Sequence, residues 1–286
     1  MHKALKRYSP IFVLPTLLAF IIGFIVPFAQ GLYLSFCKFT TVDNAKWVGF
    51  ANYNVILKDA SFLNSFKFTI LFAVVSIILI NVIAFGLALL LTKELRGTNI
   101  FRTIFFLPNL IGGIVLGYIW QLIFNGILAK YETALALNEW YGFWGLIILV
   151  SWQQIGYMMI IYIAGLQSIP NDYLEAARID GATDRQILWR IKIPNVMPSI
   201  TICLFLSLTN GFKLFDQNLA LTGGSPQIPG TNIYKTEMLA LHIFKTNGIG
   251  NNWKGVAQAE AVIFFILVAA LALLQLRATR TKEVQQ

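Results

Sequence analysis

The chain has 286 residues, 57% of them hydrophobic and 12% charged, and a mean hydropathy of +0.68. A soluble domain carries about 25% charged residues, so polar side chains are too few to cover a globule of this size in water, and lipid is the natural solvent. The net charge of +9 falls between apolar runs, which makes it a topology signal; no soluble basic domain exists to carry it, so nucleic acid is excluded as a partner.

In chain order, Met1 to Arg7 carries three basic residues ahead of an apolar stretch. That stretch is too long for a signal-peptide core of about 7–15 residues, so an uncleaved anchor is expected. Six runs, at 11–36, 68–92, 104–125, 144–166, 197–221 and 258–277, approach or exceed the roughly 20 residues that cross about 30 Å of hydrocarbon. Pro108, Gly112, Gly113 and Gly117 interrupt the third, which neighbouring helices can tolerate by satisfying the freed backbone. The glycines are expected to permit close helix packing. Cys37 and Cys203 lie in separate segments without metal-ligand spacing and are expected as buried thiols. His2 and His242 fall outside the spans and suggest no role. Residues 1–286 thus read as one all-α integral membrane domain with six transmembrane helices.

Arginine sets the orientation. Arg7, Arg96, Arg102, Arg178, Arg185, Arg190, Arg277 and Arg280 are all the arginines, and every one lies on the same side if the runs alternate. By the positive-inside rule that side is the cytoplasm, with both termini. The loops at 37–67, 126–143 and 222–257 then face outward, and Ile233 to Phe244 in the last reads as a short amphipathic helix.

The cytoplasmic loop at 168–194 reads as two short helices. Asp172 with Glu175 forms a capping pair for the first. Gly181 supplies the turn. Thr183 with Gln186 is a second capping box, Pro194 is expected to stop that helix, and Pro198 suits the first turn of the next. Tyr173, Leu174, Ala177, Ile187, Leu188 and Ile191 offer apolar contacts either to the protein's own base or to another molecule.

The string Glu175-Ala176-Ala177, then Gly181, then Ile191-Lys192-Ile193-Pro194 resembles the EAA motif of ABC-importer permeases, with Ile193 where leucine is usual. Asp180-Gly181-Ala182 resembles the carbohydrate-uptake branch. Phe101-Arg102 with Leu107-Pro108, and Trp152 to Ile160, are similar to maltose-transporter-type subunits. So is Thr222-Gly223-Gly224-Ser225-Pro226, although Ser225 replaces a glycine. The resemblance covers essentially the whole chain. It implies a coupling helix seated on a cytoplasmic ATPase, with Glu175, Ala176, Ala177, Asp180, Gly181 and Ala182 as coupling residues. It also implies a second homologous permease subunit, two ATPase subunits, an extracytoplasmic solute-binding protein and a sugar substrate moved by alternating access. No P-loop occurs, nor any Gly-Lys dipeptide. The chain is therefore expected to bind no cofactor and to catalyse no reaction, with ATP and magnesium on the partner ATPase.

Polar side chains at bilayer depth are site candidates by default. Gln153, Gln154 and Tyr157 lie in the fourth run, Ser207 and Asn210 in the fifth, and Asn109 in the third. Amides, hydroxyls and an aromatic ring suit a sugar, though such groups also bond helix to helix. By the resemblance, Tyr157, Ser207, Gly211 and Leu214 align with sugar-site positions of maltose-type subunits, the last two replacing polar residues. Lys213 and Asp216 are spaced for an internal ion pair. A stand-alone secondary transporter or channel is the alternative, but it needs an ion-coupling carboxylate and only Asp216 offers one.

Overall fold

The structure, a computed structural model, describes residues 13–93, 97–250 and 253–280. The basic segment before the first span, and Arg96, lie outside the described residues. Among the described residues five helices are long and apolar enough to cross a membrane, and the count is six if the helix pair Asp184–Asn195 and Met197–Phe212, bent by 69°, is taken as one span. The chain divides into two units: Met1–Asp59 with Ile243–Ile266, and Ala60–His242 with Leu267–Gln286.

In the first unit, α1 (Val13–Ser35) contains a π-helical turn at Ile21–Ile25 and exposes apolar side chains along its length. That suits a helix whose solvent is lipid. A hairpin follows, with β1 (Cys37–Lys38) antiparallel to β2 (Lys46–Trp47). The short α2 (Ala51–Ile56) fixes it: the buried Asn52 amide donates to the carbonyls of Ser35 at 2.8 Å and Cys37 at 3.0 Å. Cys37 and Cys203 are buried free thiols, as expected.

The second unit is built on two long helices, α3 (Ala60–Leu91) and α6 (Glu139–Gln167). Ser65, Thr69, Ala73, Ser76, Ile80, Ala84 and Ala88 of α3 are buried on one face, three or four residues apart. The small members of that stripe let α6 come close, and Phe72, Leu146, Leu149, Val150, Met158 and Tyr162 fill the interface. α3 begins well before residue 68, because Ser61, Asn64, Ser65 and Lys67 continue the backbone ladder past the apolar stretch that hydropathy detects.

The third and fifth runs are each broken. Residues expected as one span from 104 form α4 (Thr98–Phe106), a 3-10 turn at Leu107–Leu110 and α5 (Gly113–Leu128). Pro108 cannot donate to an α-helical ladder, and Ile111 and Gly112 are extended. Two of the three glycines expected to permit close packing do so, and Gly112 does not. A Cβ on Gly113 would lie 2.8 Å from that of Asp216, and one on Gly117 2.5 Å from that of Ala220, whereas Gly112 has open space around it. The run at 197–221 is α9 (Met197–Phe212) and α10 (Asp216–Leu221). Since α9 ends at Phe212 and Leu214 and Phe215 lie outside any helix, Lys213 and Asp216 do not share a helix face. Both are exposed, and the ion pair expected between them is absent among the described residues.

The loop at 168–194 folds as α7 (Asn171–Ile179) and α8 (Asp184–Asn195). Thr183 and Gln186 form their capping box, the Thr183 N–H donating to Gln186 Oε1 at 2.7 Å. Asp172 does not pair with Glu175 as a cap: the N-cap position is Pro170, and Asp172 lies inside the first turn, where its charge complements the helix dipole. Pro194 does not stop α8 either. The helix passes through a π-turn at Leu188–Lys192, and α8 ends at Asn195.

The outer helix expected at 233–244 begins later, as α11 (Leu239–Gly248). The Met238 N–H donates to Asn218 Oδ1 at 2.9 Å and the Leu239 N–H to Thr69 Oγ1 at 2.8 Å. These two side chains from distant parts of the chain cap its start. The last span is α12 (Lys254–Arg280).

Candidate functional site

The breaks in the third and fifth runs meet at α6. Gly156 permits this, since a Cβ there would lie only 1.8 Å from the carbonyl oxygen of Phe105. One turn earlier, Gln153 donates from Nε2 to the Ile111 carbonyl at 3.0 Å and accepts at Oε1 from Gln217 Nε2 at 2.7 Å. One buried amide thus satisfies the carbonyl freed by the first break and ties it to the helix that follows the second. Irregular backbone at membrane depth persists where it is buried in protein or lines a cavity. Gln154, also buried, has its amide oxygen without a hydrogen-bond partner in this structure. Tyr157 is half-buried one turn further along α6, and Asn109 is half-buried in the 3-10 turn itself.

Ser207 lies elsewhere. Only 2% exposed, it accepts from Asn81 Nδ2 at 3.0 Å, while Asn81 Oδ1 accepts from the Tyr162 hydroxyl at 2.7 Å. This chain of three joins α9, α3 and α6, so the Ser207 hydroxyl serves helix packing in this conformation. Gly211 faces α3, with Ala73 Cα 3.5 Å from where its Cβ would be. Leu214 is buried in the core. Asn210 is exposed. The structure therefore brings Gln153 and Gln217 together beside the break that holds Asn109, and gives Ser207, Gly211 and Leu214 to the packing of neighbouring helices.

Sequence reading passed over Asn218 and Tyr162. Asn218 is fully buried and satisfies the Thr236 carbonyl, Thr222 Oγ1 and the Met238 N–H. A polar side chain inside an apolar run was the available signal for each, but the partners sit in distant segments.

At the end of this unit where the arginines lie, α7 closes in a Schellman turn. The Ala182 N–H donates to the Ala177 carbonyl at 2.9 Å and the Gly181 N–H to that of Arg178 at 3.1 Å, with Gly181 at φ 78° as this motif requires. Leu174 packs inward on the core and Ile187 is buried. Tyr173, Glu175, Ala176 and Asp180 are exposed, and Ile179 is 86% exposed. The loop thus has both an anchored face and a bare one.

Comparison with known proteins fits this architecture. Residues 82–280 match the family described as binding-protein-dependent transport system inner membrane component. Over 283 residues the chain is 42% identical to the probable starch degradation products transport system permease protein AmyD of Thermoanaerobacterium thermosulfurigenes, covering 96% of this chain and 94% of that one. It is 30% identical over 295 residues to the multiple sugar-binding transport system permease protein MsmF of Streptococcus mutans serotype c, covering 99% of each. Its fold matches a chain of a bacterial ABC transporter involved in the import of the acidic polysaccharide alginate, with a TM-score of 0.80 at 21% identity over 98% of each chain. With its broken spans, its capped loop and this match over residues 82–280, the chain belongs to the binding-protein-dependent transport system inner membrane component family.

Proposed function

We propose that the chain is the membrane-spanning permease subunit of an ATP-driven importer for oligosaccharides of the kind released from starch. The observation that carries this reading is 42% identity along 96% of the chain to a permease named for starch degradation products. The partners are a second homologous permease subunit, two cytoplasmic ATPase subunits that bind ATP and magnesium, and an extracytoplasmic solute-binding protein. Both termini are cytoplasmic.

The bare face of α7 suits a groove on the ATPase. Glu175, Ala176, Ala177, Asp180, Gly181 and Ala182 form the coupling segment; Leu174, packed against the core, transmits its movement, and Ile187 is buried. The solute path runs by the breaks: Gln153, Gln154, Tyr157 and Asn109 supply amides and an aromatic ring for sugar hydroxyls and C–H faces, and Asn210 adds an exposed amide. In this reading Ser207, Gly211 and Leu214 shape the path through the helices that they position.

The test is uptake into vesicles carrying the full complex. ATP-dependent accumulation of maltooligosaccharides is expected, with no uptake when the ATPase subunits are omitted. Equal uptake without them would favour a stand-alone transporter and overturn the reading.

A further inference from the structure

The second unit has a cleft of about 220 Å³ at the end opposite its arginines, lined by Asn64, Lys67 and Phe68 of α3, Glu139 and Trp140 of α6, and Lys235. Its depth is set by α3. Lys67 lies 24 residues before the helix end at Leu91, about 36 Å at 1.5 Å per residue. Leu91 is tied by its carbonyl to Arg102 at 2.9 Å. With hydrocarbon about 30 Å thick, Lys67 sits at headgroup level when Arg102 lies at the opposite interface.

The charges in the cleft do not cancel. Lys235 pairs with Glu139 at 2.9 Å, while Lys67 is exposed and has no ion-pair partner among the described residues. The walls below are apolar and bare. From Lys67, the stripe Leu71, Val74, Ile78 and Val82 runs exposed along α3, and from the cleft Trp140, Trp144, Ile148 and Trp152 run exposed along α6. A cationic rim over two apolar stripes at interface depth fits an amphiphile with a negative headgroup.

We propose that this cleft seats an anionic phospholipid, its phosphodiester on Lys67 and Lys235 and its acyl chains along the exposed stripes of α3 and α6. The test uses the full-length chain, purified with the subunits that accompany it, and native mass spectrometry with phosphatidylglycerol or with phosphatidylcholine of the same chains. Phosphatidylglycerol is expected to bind more tightly. Lys67→Gln should weaken it about fivefold, the contribution of one interfacial lysine, and Lys130→Gln, at another exposed lysine, should not. Glu139→Gln should tighten it by removing the competing carboxylate. Three outcomes would each overturn the proposal: phosphatidylglycerol binding that ignores Lys67→Gln, inorganic phosphate binding alone with the same Lys67 dependence, or a high-yield disulfide from Val74→Cys to an accompanying subunit, which would mean that protein covers the stripe.

Discussion

Single polar residues divide here into those that hold helices and those that remain for solute. Asn81 is the clearest holder, bonded to Ser207, Tyr162 and the Ile77 carbonyl. Asn81→Ala leaves a buried phenol and a hydroxyl without their partner, a cost of about 1–3 kcal/mol. The expected result is a lower melting temperature and yield for the purified complex, with uptake per folded complex unchanged; an intact melting temperature with lost uptake would give Asn81 a solute role. Tyr157→Ala is expected to do the reverse, because among the described residues no hydrogen bond of its side chain holds a neighbouring helix. Its uptake should fall roughly 5- to 150-fold at normal yield, the worth of one lost hydrogen bond. These two readouts separate adhesion from binding, which composition alone does not, since asparagine, serine and tyrosine serve both purposes.

Glycine decides how the elements approach one another. Gly156 faces the Phe105 carbonyl and Gly86 faces open space, although both sit inside long helices. Gly156→Ala should force α4 off α6 and abolish folded yield. Gly86→Ala should be neutral or stabilising by up to about 1 kcal/mol, through helix propensity. Thermal melts of the two variants check this, and similar behaviour in both would contradict the packing described. Gly181 works through backbone geometry instead, because its Cβ would meet nothing within 4 Å in this chain. An aspartate at φ 78° is strained by about 1–2 kcal/mol and places a charged side chain on the bare side of the loop. Gly181→Asp is expected to leave the protein inserted while ATP-driven uptake is lost, as measured in vesicles; normal uptake would detach this turn from coupling.

For the whole molecule, the arginine distribution predicts which ends face which compartment. Lys130, in the turn after α5, and Arg185, in the first turn of α8, are exposed, and both native cysteines are buried. In intact cells, Lys130→Cys should react with a membrane-impermeant thiol reagent and Arg185→Cys should react only after permeabilisation. The opposite pattern would invert the topology.

The sequence by itself determined the solvent, the six apolar runs and the capped loop, because those depend on composition and on contacts within a few residues. Thr183 with Gln186, and Gly181, were legible for that reason. Only the tertiary structure decided where the runs break, which amides meet and which helix starts are capped. Gln153 lies 42 residues from the Ile111 carbonyl and 64 from Gln217, and Thr69 lies 170 from the Leu239 N–H it caps. Lipid supplies no hydrogen bonds, so each freed backbone group inside the membrane must find its partner in the protein, and the fold alone determines which distant side chain is near enough to serve.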